Sequence, residues 1–353
     1  MSSITIRLTI PLTPSQEALI LGAIETLLPL LNEPGGGTAG WKEIFPVDVF
    51  QAGAGTSLHM NVNEVIANLA NQLAGRPLGS YHPVHPNDDV NRSQSTNDTF
   101  PAAMRLALLE VSAPLRKALA ALEECFARKG QEWRDLPKAA RTHLQDAVPT
   151  TLGLEFAAYS VTLRKCARWL EDAREELREL GLGGSAAGTG LTVPPLFAEA
   201  ALAELRRLTG EPLRAAADLR EAMQSQAAIA RYASALKLLA LELTRICNDL
   251  RLLASGPLTG LAELILPAVQ PGSSIMPGKV NPSILELANQ TWFSLQGTEQ
   301  TIALAVQAGQ LELNVMMPLM AHSAISMTRI ATRTLETLRT RCIEGIRPDR
   351  ERL

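Results

Sequence analysis

Ser273 and Ser274 follow a glycine and precede Pro277-Gly278-Lys279, within the run Gly-Ser-Ser-Ile-Met-Pro-Gly-Lys-Val-Asn-Pro at residues 272–282. Glycine lets the backbone fold tightly and aim successive N–H groups at a ligand. Pro277 and Gly278 force a turn, and Lys279 then sets a cation close to the hydroxyls. Asn281, before Pro282, suits the first turn of the long apolar segment that follows. Serine, lysine and asparagine on one glycine-bearing loop suit the binding and deprotonation of a carboxylate substrate. A surface turn could share this composition; the order of the residues is far less generic.

Four further segments carry polar groups. Gly53-Ala54-Gly55-Thr56-Ser57-Leu58-His59 alternates glycine with small residues, which lets backbone amides approach an anion and equally makes a plain turn. His85-Pro86-Asn87-Asp88-Asp89 runs on to Ser95-Thr96-Asn97-Asp98. Ser95, Thr96 and Asn97 have the composition of a helix cap, and also of a carboxylate cradle built from hydroxyls, an amide and helix N-terminal N–H groups. Of five histidines, His143 stands between two long helical patterns, beside Thr142 and near Asp146. Such a residue is either structural or a proton-transfer group at the mouth of a bundle. Gly181–Gly190 is glycine-rich, but it follows a helical pattern and lacks the Gly-Lys-Ser/Thr of a phosphate loop. No cluster has metal-ligand spacing, and no GxSxG elbow accompanies the serines.

Helices must position these groups. Thr13, Pro14 and Gln16 read as a capping-box start for a helix through about residue 31, after an alternating segment at 3–11 that reads as a short strand. Gly35, Gly36 and Gly37 read as the turn that follows. From Leu152 the apolar positions run Phe156, Tyr159, Leu163, Cys166, Leu170, Ala173, Leu177 and Leu180, in steps of four and three. Ile229, Tyr232, Leu236, Leu239, Leu243, Ile246, Leu250 and Leu253 repeat the spacing. Each seam predicts a helix of roughly 25–30 residues, about 40 Å long. Looser patterns over 101–129, 283–309 and 316–343 bring the long helices to five, with Pro114 expected to kink the first. Leu238, Ala240, Leu241 and Leu252 flank the second seam, so this helix is apolar nearly all round and is expected to pack against copies of itself.

Composition agrees. The 353 residues are 46% hydrophobic but only 4% aromatic, a core of Ala, Leu, Ile and Val that favours packed helices over a sandwich or barrel. The predicted class is all-α. A net charge of −3 without a basic stripe argues against a nucleic-acid partner. No apolar run is long enough for a bilayer, and the first residues lack the layout of a signal peptide. Cys125, Cys166, Cys247 and Cys342 lie far apart and read as buried thiols of a reducing compartment, which points to the cytoplasm.

Gln-Ala-Gly-Ala-Gly-Thr-Ser (51–57), Ser-Gln-Ser-Thr-Asn-Asp (93–98), Arg-Thr-His-Leu-Gln-Asp-Ala-Val-Pro (141–149) and the 272–282 loop resemble, in order, the signatures of the fumarase/aspartase superfamily. The resemblance runs from about Phe45 to Ile346. It implies a long-helix bundle, a homotetramer with a shared central helical core, and active sites assembled from three subunits. It implies cleavage of a C–N or C–O bond in a succinyl compound, a small dicarboxylate, with no metal or organic cofactor. By position, Ser273 is the implied general base, and Lys279 and Asn281 hold the aci-carboxylate it generates. Thr56, Ser95, Thr96 and Asn97 match carboxylate-binding positions, Thr142 and His143 the leaving-group side, and Glu286 the partner of that histidine. The implied layout is an N-terminal mixed domain at 1–100, the bundle at 101–346 and a tail at 347–353. Against that pattern, the family's segment before the first helix is expected to be largely missing here and its small C-terminal domain absent.

Segments 45–57, 212–219 and 308–316 resemble the aspartase branch, and His85–Asp89 the fumarases. Deamination of aspartate to fumarate is the leading expectation, with hydration of fumarate the alternative. Two departures stand out: Leu258 replaces an arginine and His59 an asparagine. They raise a third reading, a catalytically silent structural paralogue. A protonated His59 would repel an ammonium group, so aspartate turnover is expected to improve above about pH 7.

Overall fold

The computed structural model describes residues 12–31, 41–92, 94–191 and 193–353; the 3–11 segment and glycines 35–37 fall outside them. Helix α1, Pro14–Leu31, starts on the reciprocal bonds expected of a capping box. The Thr13 N–H donates to Gln16 Oε1 at 3.1 Å, and the Gln16 N–H to Thr13 Oγ1 at 3.3 Å. A single turn α2, Trp41–Ile44, precedes α3, Thr56–Leu73. The long helices are α4 (Thr96–Glu132), α5 (Leu152–Leu177), α8 (Ala227–Leu253), α9 (Ser283–Gln307) and α10 (Met317–Arg341). Between α5 and α8 lie the shorter α6, Phe197–Thr209, and α7, Leu219–Gln224. Helix α4 passes through Pro101 and Pro114 without interruption. No helix among the described residues is long and apolar enough to cross a membrane.

Both seams are buried along their whole length: Phe156, Leu163 and Leu177, like Tyr232, Leu243 and Leu250, are 0% exposed. Three two-stranded ladders join the helices. β1 (Pro137–Thr142) pairs antiparallel with β2 (Gln145–Thr151), β3 (Glu179–Leu180) parallel with β4 (Arg214–Ala215), and β5 (Leu264–Ile265) antiparallel with β6 (Arg347–Pro348). The all-α class holds, with the β1–β2 hairpin a local element that helical periodicity gave no sign of.

The chain forms two compact units. One takes the described residues up to Ala107 with Glu175–Ile229 and Ile302–His322; the other takes Leu108–Arg174, Ala230–Thr301 and Ser323–Leu353. In the first, Ile20, Ala23 and Leu27 of α1 share a core with Ile66, Ala67 and Ala70 of α3 and with Val84 and Val90. In the second, Phe126, Trp133, Phe156 and Tyr159 stack edge-on between α4 and α5, with centroids 4.8–5.7 Å apart. Polar ties then fix helix register. Arg174 Nε donates to Ser112 Oγ at 2.7 Å, the Tyr232 and Thr328 hydroxyls meet at 3.0 Å, and Asn289 Nδ2 donates to Asn248 Oδ1 at 2.8 Å. The first two ties are buried, and they select one alignment of otherwise interchangeable aliphatic faces.

Candidate active site

The 272–282 loop, in the second unit, leaves β5 and enters α9. Its neck is pinned twice: the Gly272 N–H donates to the Lys279 carbonyl at 2.9 Å, and Asn281 Nδ2 to the Gly272 carbonyl at 2.7 Å. A Cβ on Gly272 would sit 2.4 Å from the Lys279 oxygen, so only glycine closes this neck. Inside the ring, Ser273 Oγ accepts the N–H of Ile275 at 3.2 Å and of Met276 at 3.1 Å. Two donors converging on one hydroxyl oxygen favour its charged form, which is what a serine base requires. Ser273 is half-buried and Lys279 exposed, on a hollow of about 490 Å³ that both line. Asn281 thus acts as the clasp of the loop, its amide donor already engaged.

Thr142 and His143 occupy the tip of the β1–β2 hairpin, where Thr142 pairs with Gln145 across a two-residue turn. His143 and Leu144 both have positive φ, 54° and 60°. A tight turn of this kind normally takes Asn-Gly, and a side chain there costs about 1–2 kcal/mol per residue. Strain of this sort is retained where a function holds it. Buried charge braces the hairpin from below. Glu263 is 2.8 Å from Lys138 Nζ and 2.6 Å from Arg141 Nη1, and Lys138 also meets Glu155 at 2.8 Å. Glu263 and Lys138 are almost wholly buried, and Glu263 directly precedes the strand that leads to the Ser273 loop. Sequence reasoning missed this brace, because the acid and its cations lie more than a hundred residues apart. Glu286 lies 3.8 Å from Arg251 within the chain, not beside His143, which is exposed.

The remaining candidates belong to the first unit. Gly55 places Thr56 at the start of α3; its φ is +86° and a Cβ would lie 2.3 Å from the Phe100 ring. Ser95 caps α4 as expected, its Oγ accepting the Asn97 N–H at 3.2 Å. The glycine-rich segment has a role that sequence reading did not foresee: it packs on this cap. Asn97 Nδ2 donates to the Ala186 carbonyl at 2.9 Å, and Asp98 Oδ2 accepts the Gly183 and Ser185 N–H groups at 3.2 and 3.0 Å. Burial pushes the Asp98 carboxyl up to about 6, while these amides and those of Ser95 and Asp98 itself pull it down. His59 Nδ1 lies 2.7 Å from Thr96 Oγ1. Burial lowers the imidazole below its ordinary 6.5, so His59 is neutral at pH 7 and the repulsion expected of it is absent there.

A model of the lyase family matches residues 38–297. An aspartate ammonia-lyase of Helicobacter pylori is 48% identical over 306 residues, covering 87% of this chain and 65% of that protein. The Escherichia coli K12 aspartate ammonia-lyase is 45% identical, covering 87% of this chain and 64% of its own length. The chain therefore spans just under two thirds of these curated relatives. Among solved structures, a fumarate lyase:delta crystallin from Brucella melitensis is 45% identical with a TM-score of 0.91, covering 97% of this chain and 72% of that one. A class II fumarase from Schistosoma mansoni is 32% identical with a TM-score of 0.90, covering 97% and 73%.

Proposed function

This chain belongs to the lyase family, the fumarase/aspartase superfamily, and from that premise we propose that it deaminates L-aspartate to fumarate and ammonia. The observation that carries the reading is Ser273, whose oxygen already faces two backbone N–H donors on a pinned loop. As the alkoxide, Ser273 takes the Cβ proton. The electron pair moves toward the neighbouring carboxylate to give an aci-carboxylate, held by Lys279 and the loop donors. Its collapse forms the C=C bond and breaks Cα–N. The ammonium nitrogen leaves as neutral ammonia and needs no acid, whereas loss of hydroxide from malate does.

In this reading Thr56, Ser95, Thr96 and Asn97 bind carboxylate oxygens, and Thr142 and His143 orient the amino group. Asn281 acts chiefly by holding the loop in shape, and Glu286 meets the histidine of a neighbouring subunit. Self-association into a homotetramer is supported by apolar side chains left exposed on long helices: Leu238 41%, Leu241 46% and Phe293 57%. Four buried free cysteines support a reducing compartment, the cytoplasm. The layout 1–100, 101–346 and 347–353 is retained as the family's domain division. The relatives' names favour aspartate, while His85–Asp89 and the fumarase neighbour support malate as runner-up.

The test is to give the purified protein fumarate with ammonia, then L-aspartate and L-malate separately, and follow fumarate absorbance. Aspartate turnover with little or none from malate is expected. Malate turnover without aspartate turnover would establish the runner-up, and inactivity on both the silent paralogue.

A further inference from the structure

Resting on the reading of Thr96 as a carboxylate ligand, we infer that His59 is a positioning residue: it donates its Nδ1–H to Thr96 Oγ1 and so turns the Thr96 hydroxyl proton toward the substrate. The two atoms are 2.7 Å apart, a short hydrogen bond between side chains from the first turns of α3 and α4. Geometry alone permits either donor. The mainly apolar surroundings favour one. His59 also lines a cavity of about 280 Å³ whose walls are Leu27, Leu58, Val62, Ile66 and Phe100. Gln94 and Thr99 share that wall, where they donate to the Val90 and Ser95 carbonyls.

Against a wall that is mainly hydrocarbon, an N–H costs more than a lone pair, and on that ground we put the ring's hydrogen on Nδ1, facing the hydroxyl. The same wall disfavours a charged ring, in keeping with the lowered imidazole. A hydroxyl that accepts from Nδ1 keeps its own proton to donate. With the roles reversed, Thr96 would offer only lone pairs to a carboxylate and repel it. His59 therefore sets the polarity of a binding hydroxyl without touching the substrate. Asparagine carries its amide nitrogen on Cγ, as the imidazole carries Nδ1, and can make the same donation.

The experiment measures succinate, a dicarboxylate with no leaving group, binding to the intact oligomer by calorimetry, with aspartate kinetics alongside. The proteins are wild type, His59→Leu, His59→Asn, Thr96→Val and the His59→Leu/Thr96→Val double variant, each checked for an unchanged Tm. His59→Leu should raise the succinate Kd and the aspartate KM about tenfold, the scale of one hydrogen bond to a charged group. kcat should change far less. His59→Asn should restore Kd to within about twofold of wild type, and His59→Leu should add nothing once Thr96 is valine. Additive losses, or His59→Asn as weak as His59→Leu, would overturn the inference and leave His59 as packing. Succinate binding with this pattern but no aspartate turnover would uphold His59 while removing the proposed reaction. Wild-type protein that fails to bind succinate would overturn both.

Discussion

Asp98→Asn offers a quantitative handle on the turn that begins α4. The carboxyl is 1% exposed and its oxygen accepts two N–H groups from the glycine-rich segment. Burial raises it from 3.8 to about 6. Folded protein therefore holds a proton that unfolded chain has released, across the window from about 4 to about 6. A group raised in this way contributes stability that is complete below 3.8 and lost as pH climbs through 6. At roughly 1.4 kcal/mol per pH unit, the full loss is about 3 kcal/mol, of which about 2 kcal/mol falls between pH 4.5 and 7.5. Asparagine keeps an oxygen for the Gly183 and Ser185 amides and carries no charge to desolvate. Its own packing offset does not vary with pH. The stability of Asp98→Asn relative to wild type should thus rise by about 2 kcal/mol from pH 4.5 to 7.5, whatever its absolute sign. Urea unfolding at 25 °C, at fixed protein concentration and across that range, reads the difference directly. A difference that stays flat, or falls with pH, would refute the argument that desolvation outweighs the four-sided amide embrace.

Ser273→Ala should lower kcat by about 10²–10⁴-fold with assembly intact; near-wild-type turnover would pass the role of base to another group, with His143 first to test. Gly272→Ala forces the Lys279 carbonyl away from a Cβ only 2.4 Å distant, opening the neck, and should cost about 10²-fold in kcat with little change in Tm. Light scattering at micromolar concentration should return about four chain masses, and a stable monomer would contradict the shared active site. Prolonged chelation should leave aspartate turnover unchanged, and activity regained only on adding a divalent ion would contradict Ser273 as an unaided base.

The long helices were legible because 3-and-4 spacing is a local signal: a residue's place on the Leu152–Leu177 or Ala227–Leu253 stripe follows from its near neighbours. The Thr13–Gln16 box and the Ser95 cap were legible for the same reason. What failed was whatever depended on partners remote in sequence, or on a turn made by unusual residues. His143-Leu144 lacks the glycine and asparagine that mark a hairpin, so the strands on either side passed for the gap between helices. Glu263 carries no local signal, because only the fold sets it against Lys138 and Arg141. Gly183 and Ser185 looked like a spurned phosphate loop, when their amides had a carboxylate of the same chain to meet. Ser273 itself was found by its motif; its two amide donors emerge only from the turn that follows it.

The left-handed His-Leu turn bears on how this protein can change over time. Most surface turns drift toward the residues that suit their backbone, since such substitutions lower the cost of folding and disturb nothing. Here the two positions part company. At Leu144, 71% exposed, glycine relieves strain at no expense to any bonded group, so an easy stabilising step lies open. At His143 the same relief would remove the imidazole. On the role proposed for His143, lineages of this protein are free to improve one half of the turn and are held at the other, leaving a tense point on an otherwise relaxed hairpin.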